Sequence, residues 1–193
     1  MTIGTHRARA QQPRTFYGKY RGVVADNVDP LGLGRVIPTC PAISSGLLTW
    51  ALPCVPWGGQ AVGTFIIPPV GAGVWIEFEQ GDIDYPIWTG CYWNLPEEVP
   101  LAARALLFEP GIAIQGQQLN SIVLGPGPSG AGSVMLQCGT ASIELSEADG
   151  IVMTSGPATV SIRVGAIQIS NGLASIELSS GGVSVNDGAL EIL

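Results

Sequence analysis

The clearest pattern in the chain is the alternation of apolar and polar residues toward its C-terminus. Apolar side chains recur at every second position in short runs, and glycines separate most of these runs. A period of two is typical of β-strands that turn one face toward a core. The pattern predicts strands at Val134–Cys138, Ile143–Leu145, Ile151–Met153, Val160–Val164, Ile167–Ile169, Ile176–Leu178, Val183–Val185 and Leu190–Ile192.

The same region contains an internal repeat. The sequence Ala-Ser-Ile-Glu-Leu-Ser occurs at Ala141–Ser146 and again, 33 residues later, at Ala174–Ser179. Repeated short strands with turn glycines indicate a β-solenoid or β-helix. A lone ladder of such strands has open edges, and three copies wound together would close them. We therefore predict a trimeric β-helix, with a single-chain solenoid or a β-sandwich as alternatives.

The middle of the chain also has the pattern of short strands. We predict strands at Tyr20–Ala25, Gly34–Ile37, Thr64–Ile67, Val74–Glu79 and Ile87–Tyr92. Several are rich in the β-branched and aromatic residues that strands favour. Five short strands in about 80 residues suit a small closed barrel of the OB type. The predicted fold class is thus all-β, an N-terminal OB-like barrel followed by a C-terminal trimeric β-helix.

Composition divides the chain into four segments. Residues 1–14 form a basic arm, 15–95 the OB-fold domain, 96–111 a neck or linker, and 112–193 the β-helical domain. Pro96, Pro100 and Pro110 bracket the neck, in which one helical turn is expected around Ala102–Leu107.

Low charge in an apolar chain indicates extensive burial. The chain is 46% hydrophobic and 12% charged, against about 25% charged in an average domain. No apolar run approaches the ~20 residues of a membrane-spanning helix, and no apolar stretch follows the basic N-terminus as in a secretory signal. We therefore expect synthesis in the cytoplasm and an oligomer that hides the apolar surface.

The net charge of −7 argues against nucleic-acid binding. Such binding depends on Lys and Arg that neutralise phosphates, and five of the eight basic residues lie in the first 21 positions. The five tryptophans are therefore expected to pack in the core or at interfaces instead of stacking on bases. Trp57 and Trp93 are the best interface candidates, because each sits beside loop residues.

Candidate catalytic and metal-binding residues are sparse. Glu77, Glu79, Asp82 and Asp84 crowd one hairpin, and a glycosidase would need two such carboxylates in a cleft. No constellation of His, Lys and Tyr residues accompanies them, so a solvated loop is favoured, with Asp82 bonding turn amides. The cysteines form no C-x-x-C pair and the one histidine is His6, so we predict no metal, no cofactor and no enzymatic activity. The cysteines are expected as free thiols, with a Cys40–Cys54 bridge left open.

An ordered series of residues in the middle region resembles a known family, the baseplate assembly protein V spikes of contractile phage tails and the VgrG proteins of type VI secretion. The residues that carry the resemblance are Gly22–Asn27, Asp29–Val36, Trp50-Ala51, Pro53, Pro56, Gly58-Gly59, Gly63, Phe65, Pro68, Val70-Gly71, Gly73-Val74, Phe78-Glu79, Gly81-Asp82, Pro86 and Gly90.

The resemblance implies a structural central spike that joins the baseplate hub to the tip and helps to pierce the target envelope, touching a membrane only during puncturing. It implies a homotrimer, carried in a phage tail or a tail-like particle. The neck is too short for the lysozyme domain of some relatives, and His6 stands at the wrong end for their iron-binding tip. An OB-type nucleic-acid binder and a phage-type adhesin fibre are the alternatives.

Two partner surfaces follow from the resemblance. About 15 residues precede the barrel, so the hub is expected to be a separate protein, and the basic arm with Arg7, Arg9 and Arg14 is its predicted contact. The last strands end in an apolar pattern, and the family often covers such an end with a small PAAR-like tip or cap protein. The predicted cap-binding residues are Val183, Val185, Leu190, Ile192 and Leu193.

Overall fold

The regular elements of the protein are β-strands and short 3-10 helices. The structure, a computed structural model, describes residues 14–126 and 132–192. The chain divides into two compact units, the first ending at Pro96 and the second beginning at Glu97. The all-β fold class predicted from the sequence is confirmed. The predicted segment boundaries, taken as limits of independently folding domains, stay a prediction.

The first unit is built on a five-stranded sheet. The strands of the unit, including two outside this sheet, are β1 (Tyr20–Asp26), β2 (Ile37–Thr39), β3 (Leu52–Pro53), β4 (Gly58–Gly59), β5 (Val62–Gly63), β6 (Gly73–Phe78) and β7 (Pro86–Tyr92). The sheet order is β2-β1-β6-β7-β3, while β4 and β5 form a separate hairpin. All neighbours in the sheet are antiparallel except β3 and β7, which are parallel.

Alternation in the strands builds the core of this unit. In β6 the side chains of Val74, Ile76 and Phe78 point to the buried face, as the period of two requires. Trp88 of β7 lies in the same core, and its indole Nε1 donates a hydrogen bond to the Gly34 carbonyl oxygen over 3.1 Å. The indole therefore fixes the loop before β2 against the sheet.

One strand predicted in this unit is wrong and another is displaced. Residues 64–67 form no strand, and Pro68 and Pro69 that follow lack the N–H groups a ladder needs. The Thr64 amide instead donates to the Trp57 carbonyl oxygen, which closes the β4–β5 hairpin. The predicted second strand begins three residues late, at Ile37, because Gly34 has a left-handed φ of +75°. The first, fourth and fifth predicted strands are confirmed.

The second unit is a ten-stranded antiparallel meander. Its strands are β8 (Ile112–Gln115), β9 (Ser121–Pro126), β10 (Gly132–Cys138), β11 (Ala141–Ser146), β12 (Gly150–Ser155), β13 (Ala158–Arg163), β14 (Ala166–Asn171), β15 (Ala174–Ser179), β16 (Gly182–Val185) and β17 (Leu190–Ile192). Each strand pairs with the next one along the chain, from β8 to β17. The eight strands predicted from the alternation are all present.

The way these strands pair corrects one step of the sequence argument. We expected partner chains to close the strand edges, but each strand finds its partners within the chain, and only β8 and β17 lie at sheet edges. The connections explain this, because most of them from β10 onward have two residues, as at Gly139-Thr140 and Gly172-Leu173. Loops this short can only join antiparallel neighbours. The eight inner strands therefore have no free edge with which to pair to another copy.

Four 3-10 helices complete the described structure: Glu79–Gly81, Pro96–Glu98, Leu101–Leu106 and Gln117–Leu119. The third fits the helical turn expected in the neck, and we call it the neck helix. It packs on β8 and β9. Within the described ranges, no helix has the length and hydropathy needed to cross a membrane.

Candidate functional site

The candidate site is one face of the ten-stranded sheet, which we call the apolar face. Strand register places two aliphatic side chains of every strand on this face, in two ladders that cross all ten strands without a break. The first ladder is Ile112, Leu124, Val134, Leu145, Ile151, Ile162, Ile167, Leu178, Val183 and Ile192. The second is Ile114, Ile122, Leu136, Ile143, Met153, Val160, Ile169, Ile176, Val185 and Leu190.

The apolar face is uncovered in a single chain. Ile122, Leu136 and Ile162 each retain 41% of their surface, whereas Ile76 in the core of the first unit retains none. Monomeric proteins rarely expose contiguous apolar patches beyond a few hundred square ångströms. A face of this extent is therefore an interaction surface.

The opposite face, which we call the polar face, has the chemistry of a wet surface along most of the sheet. Serine, threonine, glutamine and glutamate alternate with the aliphatic positions. Thr159 and Ser170 face each other across β13 and β14, and their hydroxyls lie 2.6 Å apart in a hydrogen bond. The contrast between the two faces decides which one is available for association, because only the apolar face gains by leaving water.

The residues predicted to bind a cap lie at one edge of this sheet. Val183 and Val185 belong to β16, and Leu190 and Ile192 belong to the edge strand β17. All four are on the apolar face, so the register brings them together as predicted from the alternation. Leu193 lies outside the described residues.

The structure describes one of the three arginines predicted to contact a hub. Arg14 is exposed, and its guanidinium carbon lies 5.6 Å from the centre of the Phe16 ring, within the range of a cation–π contact. Phe16 packs in turn against the core of the first unit, so Arg14 is held at the surface of that unit. Arg7 and Arg9 lie outside the described residues.

The motif around Asp29 forms a rigid loop. The carboxylate of Asp29 accepts the backbone amides of Leu31 and Leu33 over 3.0 and 2.8 Å. The guanidinium of Arg35 pairs with the same carboxylate and stacks 5.2 Å from the centre of the Trp50 ring. These bonds hold the pKa of Asp29 well below its usual range, the Arg35 hydrogen bond contributing most. Sequence reasoning predicted only a turn here.

Two of the four carboxylates on the β6–β7 hairpin make local contacts. Glu77 pairs with Lys19 at 2.9 Å, and Asp82 Oδ1 accepts the Asp84 amide over 3.0 Å, a turn bond of the predicted kind. No three His, Cys, Asp or Glu side chains of the described ranges are grouped so that they could hold a metal ion.

The remaining candidates divide between core and surface. Trp57 and Trp93 are both exposed, which leaves them free for contacts. Cys40 is buried and Cys54, Cys91 and Cys138 are exposed, and all four are free thiols, so the Cys40–Cys54 bridge that we left open is not formed.

Sequence reasoning missed part of the apolar face. The first two strands carry Ile112, Ile114, Ile122 and Leu124, but none of these was singled out. The interleaved residues Ala113 and Val123 are themselves apolar, so the period of two is blurred. Only the register with β10 shows which side of β9 continues the ladder.

Comparison with known proteins agrees with this division into two parts. The family model for the type VI secretion system and phage-baseplate injector OB domain matches residues 20–93. The model for the phage baseplate V C-terminal trimerisation domain matches residues 133–191. Together they cover about two thirds of the chain.

Curated relatives match a shorter stretch. The type VI secretion system spike protein VgrG5 of Pseudomonas aeruginosa is 43% identical over 44 residues, which is 23% of this chain and 6% of that protein. The spike protein VgrG4b of the same organism is 39% identical over 44 residues, or 23% of this chain and 5% of the relative. The match thus spans only a small part of the length of these relatives. With both family models in the expected order, the chain belongs to the baseplate V and VgrG-like family of spike proteins.

Proposed function

We propose that this chain is the structural central spike of a contractile injection machine, a phage tail or a tail-like particle. In this role it joins the baseplate hub to the tip and helps to pierce the target envelope. The observation that carries the proposal is the pair of unbroken aliphatic ladders on one face of a ten-stranded sheet. Such a face is useful only when it is covered, and a rigid covered needle is what piercing requires.

The proposed assembly is a homotrimer. Three sheets that turn their apolar faces toward a common axis form a closed prism, with the polar faces outward. Each covered aliphatic side chain contributes about 1.5–3 kcal/mol, and two such side chains enter from every strand. The match to a trimerisation domain over residues 133–191 supports three copies in preference to two.

The proposed role is mechanical and not enzymatic. Glu77 of the β6–β7 hairpin pairs with Lys19, and Asp82 accepts a turn amide. The family models that match the chain describe an OB domain and a trimerisation domain. The partners of such a spike are proteins, and we propose no nucleic-acid ligand because the net charge is −7. Contact with a membrane would occur only during puncturing.

We propose that the basic arm binds a separate hub protein of the baseplate. Arg14 is exposed next to Phe16 at the surface of the first unit, and Arg7 and Arg9 precede it in the sequence. An extended basic segment can order on an acidic partner when it binds. Removing residues 1–14 should weaken incorporation into particles while leaving the trimer intact.

We propose that a small PAAR-like protein caps the edge strand β17. Leu190 and Ile192 are more exposed than the apolar residues in the middle of the sheet, at 57% and 59%. An edge strand also presents unpaired backbone groups, which a cap could pair. Val183, Val185 and Leu193 would complete the contact.

The location of the chain in particles tests the function as a whole. The spike is expected to be made in the cytoplasm and then built into the baseplate. Quantitative mass spectrometry of purified particles should find it at three copies per particle, and deleting its gene should leave particles that cannot injure their target. Finding the chain only free, or on the outer surface of particles as a fibre, would overturn the proposal.

A further inference from the structure

In the described part of the sheet, the polar face carries an apolar groove beside β9, near the end of the sheet that β8 forms. It runs between the neck helix and β10 and has a volume of about 460 Å³. Its apolar lining comes from Leu101, Leu119, Val123 and Met135, whereas the polar face further along the sheet is mostly serine, threonine and glutamine. Most of this face can stay in water as it is, but the groove cannot do so without cost.

The position of the neck helix defines the two ends of this groove. At one end of the strands, the Ala102 amide donates to Gln115 Oε1 over 2.8 Å. At the other end, Leu106 packs on the backbone of β8 and β9, and a Cβ at Gly111 would lie 2.5 Å from Leu106 Cδ2. The helix therefore runs along the length of β8 and β9. Leu101 lies at the Gln115 end of these strands, and residues 107–110 lie at the Gly125 end.

The two ends of the strands carry complementary features. At the Gly125 end, Phe108 is 97% exposed although it is a large apolar residue. At the Gln115 end, the turn between β8 and β9 holds Leu119 at the mouth of the groove. Leu119 has a φ of +60°, a left-handed value that leucine rarely adopts. This unfavourable conformation places an apolar side chain where the groove opens.

We propose that Phe108 of one copy inserts into the mouth of this groove on the neighbouring copy, between Leu101 and Leu119, and so clasps the trimer at the base of its needle. In a closed ring of identical subunits, each contact joins two different surfaces of the chain. The strand ends on the Gly125 side of one sheet therefore meet the strand ends on the Gln115 side of the next. A protruding aromatic ring at one end and an apolar groove at the other are the two halves of such a contact. The inference rests on the proposed trimer and assigns the neck a role within it.

The test is disulfide trapping in the full chain, with Cys54, Cys91 and Cys138 changed to serine so that only buried Cys40 remains. The double variant Phe108→Cys/Leu119→Cys should give covalent dimers and trimers on non-reducing gels. The matched control is Phe108→Cys/Leu173→Cys. Leu173 is fully exposed in the β14–β15 turn at the Gln115 end. It lies six strands from the groove, about 29 Å at ~4.8 Å per strand, so this control variant should give only monomers on the gel. Leu101→Cys in place of Leu119→Cys repeats the test at the other wall of the groove.

A second measurement uses no cysteine. Phe108→Ala should lower the temperature at which the trimer dissociates, whereas Val164→Ala should not. Val164 is as exposed as Phe108 and lies at the same end of the strands, in the β13–β14 turn.

Light scattering on each variant distinguishes a failure of the proposed clasp from a failure of the proposed trimer. If the protein is trimeric but neither groove pair crosslinks, or if the Leu173 pair crosslinks equally well, the clasp is wrong and the trimer stands. If the protein is monomeric, the trimer fails and the clasp fails with it.

Discussion

Arg35 donates two hydrogen bonds to a single carboxylate oxygen of Asp29, from Nη2 over 2.6 Å and from Nε over 3.0 Å. The same oxygen also accepts the Leu31 amide, and the other oxygen accepts the backbone amides of Leu33 and Arg35. One aspartate therefore holds a whole loop of the first unit. Asp29 retains 3% of its side-chain exposure and Arg35 retains 17%. The pair is therefore shielded from water more than ordinary surface ion pairs, which contribute little.

The Asp29 carboxylate should make the first unit sensitive to acid. Its pKa is lowered in the folded state, chiefly by Arg35. A group of this kind stabilises the fold above its unfolded pKa of about 3.9 and loses that effect as the pH falls toward the folded value. Asp29→Asn should lower the melting temperature at neutral pH, and the difference from the wild type should shrink below about pH 4.

Thermal denaturation followed by near-ultraviolet circular dichroism measures this dependence. Asp84→Asn, at an exposed carboxylate on the hairpin, is the control and should leave the curve unchanged. An Asp29→Asn protein as stable as the wild type at neutral pH would show that the loop is held by other contacts.

The contact of Leu106 with Gly125 should fix the neck helix to the sheet. A Cβ at Gly125 would collide with Leu106 Cδ2, and overpacking of this kind costs about 1–3 kcal/mol. Gly125→Ala should therefore speed hydrogen exchange in the neck helix and in β8. In a Leu106→Ala background the same change should have little further effect, since the two residues share one contact. Equal effects in both backgrounds would argue against the contact.

Sequence reasoning was most successful where one rule acts alone. The strands from β10 to β17 were predictable because alternation with a period of two, as in Val134, Leu136 and Cys138, is typical of strands with one buried face and does not fit the 3.6-residue period of a helix. The repeat at Ala141 and Ala174 was equally clear, and it maps β11 onto β15 with the same face in both.

It failed where the outcome depends on distant partners. Residues 64–67 have a strand-like composition, but the prolines after them and the bond from Thr64 to Trp57 decide their conformation. The Asp29–Arg35 pair joins residues that the sequence shows only as turn formers. The neck groove depends on where Leu106 packs, and no periodic pattern indicates that. The pairing of the strands, by contrast, could have been predicted from the two-residue connections, because such short loops join only antiparallel neighbours.

The cysteines should report the assembly by their reactivity. Cys40 is buried, its thiol donates to the Arg21 carbonyl oxygen, and burial raises its pKa, so it should react slowly with alkylating reagents. Cys138 continues the alternation of the apolar face and is exposed in a single chain. In the trimer it should react as slowly as Cys40, while Cys54 reacts fast.

Mass spectrometry after timed alkylation measures the three rates, and full reaction of all four thiols in urea is the control. Cys138 reacting as fast as Cys54 in the native protein would contradict the inward orientation of the apolar face.

The edge strand β17 should decide cap binding without affecting assembly. Ile192→Ala removes apolar contact area at the edge of the sheet without placing a charge at the proposed axis, and should weaken binding of a purified PAAR-like protein from the same gene cluster. Ile112→Ala makes the same change at the opposite edge, and should leave that binding intact. Loss of binding in both variants, or in neither, would remove β17 from the contact.

The mass of the protein in solution, compared between two variants of β14, tests the central claim most directly. Ile169 lies on the apolar face and Gln168 on the polar face, one residue apart in the same strand. Light scattering should give three times the mass of one chain for the wild type and for Gln168→Asp. It should give the mass of one chain for Ile169→Asp, because three buried charges cannot be accommodated at the axis. A wild-type protein with the mass of a single chain, or an Ile169→Asp protein that stays trimeric, would contradict the account.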